Sequence, residues 1–204
     1  MGRISDVNIR LIRAVLELFW EESYGAVTID DICKRADVKK GSFYYFFQSK
    51  SDLACAAIDW LWENEWKPSL DRIYSASVEP LQRIANHLES AYHRHAQMKL
   101  EHGKVLGCPI VSVGSEMSTQ DERLGQKVRE ICARKRRYYE SAIRDAVATG
   151  SIEPCDVTRK AQCLAGLIEG IITQARIHND PELIRPLPQL ALDMLHTQKT
   201  APAA

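Results

Sequence analysis

Apolar residues recur along this chain at three- and four-residue spacing and show no convincing alternation, the pattern of amphipathic helices rather than strands. Ile12, Val15, Leu16 and Phe19 make such a stripe in a first helix predicted over 5–24, with Gly25 as its stop. Ile29, Ile32, Cys33 and Ala36 mark a second, shorter helix. Another starts at Ser49 and runs through Leu53, Ala56, Ala57, Trp60, Leu61 and Asn64 to a break at Pro68. Leu81, Ile84, Leu88, Ala91, Tyr92 and His95 lie on or beside one stripe over 79–98, and the segment between Gly103 and Gly107 interrupts the periodicity. Further helices are predicted over 110–117, from a cap at 119–122 to 149, from Asp156 to 178, and from Asn179-Asp180-Pro181 to 196, before a flexible tail at 197–204. The pattern predicts an all-α chain of nine or ten helices.

Residues 28–53 compress three helix signals into very little sequence. Thr28 precedes an apolar stripe and has Asp31 three positions on, the spacing of a capping box that satisfies the orphan N–H groups of a helix start. Asp37-Val38-Lys39 then supplies a turn of the length that sets two helices steeply across each other. The next helix, predicted over 40–47, opens with the small residues Gly41-Ser42 and continues with five aromatics. So short a helix cannot bury them all: Phe43, Phe46 and Phe47 share the core face, leaving Tyr44 and Tyr45 outward with their hydroxyls available. A third helix starts at Ser49, with Asp52 three positions on. Lys34, Arg35, Lys39, Lys40 and Lys50 stand against Asp37 alone between positions 33 and 50, so the surface is locally basic. Such a surface suits phosphate contact by Lys and Tyr and base-edge contact from the helix start. The plainer alternative is a solvated helical hairpin; caps, turn length and aromatic face together favour a DNA-binding helix-turn-helix.

VKKGSFYYFFQSKSDL resembles the signature of TetR-family transcriptional regulators. That signature runs hydrophobic, polar, basic, Gly, Ser or Thr, aliphatic or aromatic, Tyr, His or Tyr, two aromatics, then Ser-Lys and an acidic residue before Leu. The resemblance implies a three-helix, homeodomain-like helix-turn-helix unit over 1–50 and a ligand-binding bundle over 51–204 that dimerises. It places Thr28 and Lys50 on phosphates, and Lys39, Gly41, Ser42, Tyr44 and Tyr45 at or near the major groove of double-stranded operator DNA; Lys40 is a further DNA-binding candidate. Tyr45 stands where many relatives carry His. The resemblance is specific over roughly the first quarter of the chain and architectural beyond it. It also implies that the helix from Ser49 acts as a rod between reading unit and bundle, and that a Gly2-Arg3 arm sometimes reaches DNA.

Lys and Arg number 27 and Asp and Glu 27, so no global field draws the chain to nucleic acid; affinity must come from the local patch, doubled in a dimer. The six cysteines include no C-x-x-C pair, the N-terminus turns acidic before any apolar core of useful length, and no run is long enough to cross a membrane. These features predict a reducing cytoplasm and no membrane partner.

The bundle offers large side chains for a small-molecule effector: Trp60, Tyr92, His95, Met98, His102, Cys108, Met117 and Tyr138, with Trp62, Trp66 and Tyr139 as further members; each singly is also an ordinary core residue. His87, His93, His95 and His102 lie within sixteen residues, but none forms an i, i+4 pair, so neither metal nor cofactor is expected. Cys108, in Gly107-Cys108-Pro109, falls at a helix start, where the dipole favours thiolate; it is a redox or electrophile candidate as well as a plain structural cysteine. An electrophile-sensing branch of the TetR family looks similar there. A cysteine enzyme pairing Cys108 with His95 or His102 is the competing class, but no third residue orients the base, and the reading is of a regulator rather than an enzyme. The resemblance implies that the last long helices, 121–149 and 156–178, pair with their mates across a twofold axis; Leu164, Gly166, Gly170 and Ile171 form the candidate homodimer interface, with packing inside one chain as its alternative.

Overall fold

The computed structural model describes residues 2–196, with side chains from Asp6 onward. The side chains of the Gly2-Arg3 arm and the tail 197–204 lie outside the described residues. All regular structure among the described residues is helical: α1 (Gly2–Glu21), α2 (Ile29–Ala36), α3 (Lys40–Phe46), α4 (Lys50–Leu61), a π turn (Trp62–Trp66), α5 (Lys67–Ile73), α6 (Pro80–His102), α7 (Pro109–Met117), α8 (Glu122–Ala148), α9 (Val157–His178), a 3-10 turn (Pro181–Ile184) and α10 (Leu187–His196). The chain divides into two compact units, one of Met1–Pro68 with Leu106–Cys132 and one of Ser69–Val105 with Ala133–Ala204.

In the first unit, Leu11, Val15 and Phe19 of α1 are buried with Ile32, Phe43, Leu53 and Ala54 from α2, α3 and α4. The capping box forms as its spacing predicts: the Asp31 amide donates to Thr28 Oγ1, and the Thr28 amide and hydroxyl both donate to Asp31 Oδ2. Asp37 closes α2 in the left-handed region at φ 51°, sending its amide to Lys34 O and that of Val38 to Cys33 O. Arg10 of α1 donates to Asp37 O at 2.9 Å and fixes this turn.

Three sequence expectations are corrected. α1 ends at Glu21, so Gly25 is no helix cap; a Cβ there would lie 2.6 Å from Glu116 Oε1, and its smallness admits that carboxylate. Pro68 breaks nothing, because the π turn lets the chain pass on helically into α5; its missing N–H falls at the opening of α5, where a proline costs least. The cap at 179–181 leads first into a 3-10 turn and only then into α10.

The second unit buries Ile84, Leu88, Ala91, Tyr139, Ile143, Leu164, Ile168 and Leu187. Arg83 is also buried, and donates to Asp145 Oδ2 at 2.5 Å and Val78 O at 2.7 Å, tying down the loop before α6. Beside it, the Tyr74 hydroxyl lies 3.0 Å from His87 Nδ1, and His87 stacks on Tyr139 with ring centres 5.7 Å apart. Burial, and then the charges of Lys135 and Arg94, hold the His87 imidazole well below its usual 6.5. The unfolded chain therefore takes up a proton near 6.5 that the folded chain refuses, so this stability is complete above that pH and is lost as pH falls through it. The expected slope is about 1.4 kcal/mol per pH unit for this one site. Denaturation at pH 7.5, 6.5 and 5.5 checks it: His87→Phe starts lower, having lost the Tyr74 partner, but loses less on acidification than wild type.

Candidate DNA-reading surface, sensor helix and pairing face

α3 has one buried face and one bare face. Phe43 and Phe47 are buried and Phe46 half-buried, whereas Tyr44 and Tyr45 are 53% and 72% exposed. A Cβ on Gly41 would meet nothing within 4 Å, so the start of the helix is open to close approach from outside the chain. Ser42 is half-buried and Lys39 exposed at the N-cap position; Lys39 makes no ion pair among the described residues. Lys40 pairs with Asp30 at 2.8 Å.

The basic patch is smaller than a count of lysines suggests. Arg35 turns back to α1, onto Glu21 at 2.8 Å and Glu17 at 3.3 Å. Lys50 turns inward too: its ammonium donates to Tyr24 O at 2.7 Å and Val27 O at 2.8 Å and lies 4.1 Å from the Tyr24 ring centre. Burial lowers the Lys50 pKa and raises that of Tyr24 to about 12. Two of the three Lys50 N–H groups are thus committed within the chain, and Thr28 is committed to its cap.

The turn that Lys50 braces is held from its other side. Glu116, on the last turns of α7, accepts from the Tyr24 amide at 3.0 Å and the Gly25 amide at 2.6 Å. At the opposite end of α7, the Trp20 indole donates to Gly107 O at 2.9 Å. α7 is therefore fastened at both ends to the stretch leading into the helix-turn-helix. Cys108 sits at its N-cap position, is half-buried and is in no disulfide. Neither Glu116 nor Trp20 carried any sequence signal, because each partner lies about ninety residues away.

The bundle candidates are shared between the two units. Trp60, Cys108 and Met117 belong to the first unit and Tyr92, His95, Met98, His102 and Tyr138 to the second. His95 and Met98 are buried, His95 spending Nδ1 on Ala91 O at 2.7 Å. Tyr92 is engaged at the surface with Glu182 and Arg185, Tyr138 donates to Asp71, and His102 is exposed at the end of α6. On α9, Leu164 is fully buried in its own unit and drops out of the pairing face for that reason. Gly166 and Gly170 are exposed, with nothing within 4 Å of where a Cβ would be; Ile171 is half-buried and Ile177 is 65% exposed. Among the described residues, the glycines therefore leave open a face that their own chain does not cover.

Two short helices, α2 and α3, joined by a turn with Asp37 in the left-handed region and with a bare aromatic face on the second, have the layout of a helix-turn-helix DNA-binding protein. Two family models match: one described as bacterial regulatory proteins of the tetR family over residues 11–57, and a Tetracyclin repressor-like C-terminal domain over residues 80–188. The transcriptional regulator AcuR of Cereibacter sphaeroides is 30% identical over 175 residues, 84% of this chain and 77% of that one. The HTH-type regulator of the lacX 3' region in Lactococcus lactis is 30% identical over 122 residues, spanning 58% of this chain and 59% of the relative. The crystal structure of the regulatory protein TetR from Rhodobacter sphaeroides superposes with a TM-score of 0.80 at 27% identity, covering 91% of this chain and 96% of that one. Two further relatives are named HTH-type transcriptional repressors and another an HTH-type negative transcriptional regulator. The chain belongs to the TetR family, and is a DNA-binding transcriptional regulator. No helix among the described residues is long and apolar enough to cross a membrane.

Proposed function

We propose that the chain works in the cytoplasm as a homodimeric repressor, in which residues 1–50 read a near-palindromic operator and residues 51–204 pair the subunits and receive the effector. The observation that carries this reading is α3, buried through Phe43 on one side and bare through Tyr44, Tyr45 and Gly41 on the other. Tyr44, Tyr45, Ser42 and Lys39 contact bases or phosphates in the major groove, with Gly41 admitting the backbone. Thr28, Lys40 and Lys50, already paired inside the chain, add phosphate contact through whatever donors remain. A dimer seated on a promoter represses by occupying it.

Release follows from a small molecule in the bundle or from modification of Cys108. The path favoured for Cys108 is mechanical: α7 begins there and ends on Glu116, whose carboxylate grips the turn that Lys50 braces. Moving α7 loosens that turn and tilts the reading helix. The test is a gel shift on the DNA upstream of the protein's own gene, repeated with added salt, candidate effectors, diamide and a Cys108→Ser variant. Salt-sensitive binding, lost with diamide in wild type but not in Cys108→Ser, supports the whole reading. Binding untouched by diamide removes the thiol branch alone, and no binding to any upstream fragment removes the operator reading.

A further inference from the structure

The first unit contains a cleft of about 250 Å³, separate from the bundle residues discussed above apart from Trp60. Leu16 and Trp20 of α1, Trp60 and Leu61 of α4, and Pro109 at the start of α7 give it an apolar, aromatic lining. Trp20 is held in place by its indole bond to Gly107 O, so one aromatic wall is set before anything binds. Glu65 reaches the cleft from the π turn that follows Leu61, and such turns concentrate at functional sites.

The charges here are unevenly satisfied. Glu17 is paired with Arg35. Arg13 is not paired: its guanidinium lies 5.8 Å from the Trp60 ring centre, and among the described residues no carboxylate stands within ion-pair distance of it. A planar cation with five donors, over one indole ring in a cleft lined by a second and with the cleft's carboxylates Glu17 and Glu65 outside ion-pair distance, can take a carboxylate two bonds at a time.

We propose that this cleft is a binding site for a planar aromatic monocarboxylate, with its carboxylate on Arg13 and its ring against Trp20 and Trp60. The volume suits one or two fused rings. Glu17 and Glu65 disfavour a second negative charge on the ligand. The proposed function puts the effector within 51–204, and this cleft, to which α1 contributes Arg13, Leu16, Glu17 and Trp20, is a small-molecule site shared between that range and the reading unit.

Isothermal titration of the full chain with 2-naphthoate tests the site without any DNA, so its outcome is independent of the operator reading. The expected result is one naphthoate per chain and no saturable heat with benzylamine. Arg13→Ala, an exposed position, keeps the wild-type circular dichroism and weakens naphthoate at least about tenfold, with Arg13→Lys in between because an ammonium lacks the fork. Trp60→Leu weakens it as well. Absence of saturable binding, equal binding of benzylamine, or an unchanged affinity in Arg13→Ala, which would put the naphthoate elsewhere, each overturns the proposal.

Discussion

Replacing both Tyr44 and Tyr45 with alanine is expected to weaken operator binding about a thousandfold while leaving the fold intact. The two side chains are more than half exposed and touch their own helix only through ring edges, Tyr44 on Phe43 at 5.2 Å between centres and Tyr45 on Phe46 at 4.9 Å. In the free protein their removal gives up these ring-edge contacts, and surface changes of this kind cost within about 0.5 kcal/mol. On the proposed reading, a dimer on its operator would use four such hydroxyls. At about 1 kcal/mol for each hydrogen bond the loss is about 4 kcal/mol, or three decades of affinity. Fluorescence anisotropy on an upstream fragment reads the affinity, and a thermal melt reads the fold. The Tyr44→Phe, Tyr45→Phe pair separates the two physical contributions, since it removes the hydroxyls and keeps the rings. Unchanged affinity in the alanine pair would mean that α3 does not enter the groove through this face.

That face was legible in the sequence because everything defining it is local. A hydroxyl and a carboxylate three residues apart cap α2, an aspartate tolerates the left-handed turn at 37, and a seven-residue helix with its C-cap residue cannot bury five aromatics on one side. What escaped the sequence is what depends on distant partners. Lys50 reads as a surface cation until the carbonyls of Tyr24 and Val27 are seen to turn it inward, and Gly25 reads as a helix stop until Glu116 arrives from about ninety residues away. Pro68 reads as a break because a proline's cost depends on which N–H the helix would otherwise have used, and an upstream π turn changes that bookkeeping. On α9 the stripe itself was legible, but not which residues face inward. Leu164 shares its periodicity with the apolar face and is buried there, whereas Gly166 and Gly170 lie round the helix on the open side.

The open side of α9 leads to the second large effect. Gly170→Glu is expected to convert the protein from dimer to monomer in sedimentation velocity at micromolar concentration, and to reduce operator affinity by about two to four decades. Within one chain the new side chain meets nothing, since no atom lies within 4 Å of the Cβ position, and a glycine replaced inside a helix returns up to about 1 kcal/mol of helix stability. The isolated subunit should therefore melt no lower than a wild-type subunit would. Across the proposed twofold axis the same carboxylate would face its own copy, and two like charges would enter a face whose exposed residues include the glycines, Cys163, Gln174 and Ile177. The DNA penalty follows from losing the link between half-sites. A tethered second reading helix acts at an effective concentration in the millimolar range, worth a factor of about 100 to 10,000 over two independent subunits. Gly166→Glu, one turn earlier on the same side, should behave alike, whereas a glutamate at the exposed position Gln162 serves as a charge control. If both glycine variants remain dimeric and bind DNA as wild type does, the subunits pair through another surface, and the glycines of α9 need a different explanation.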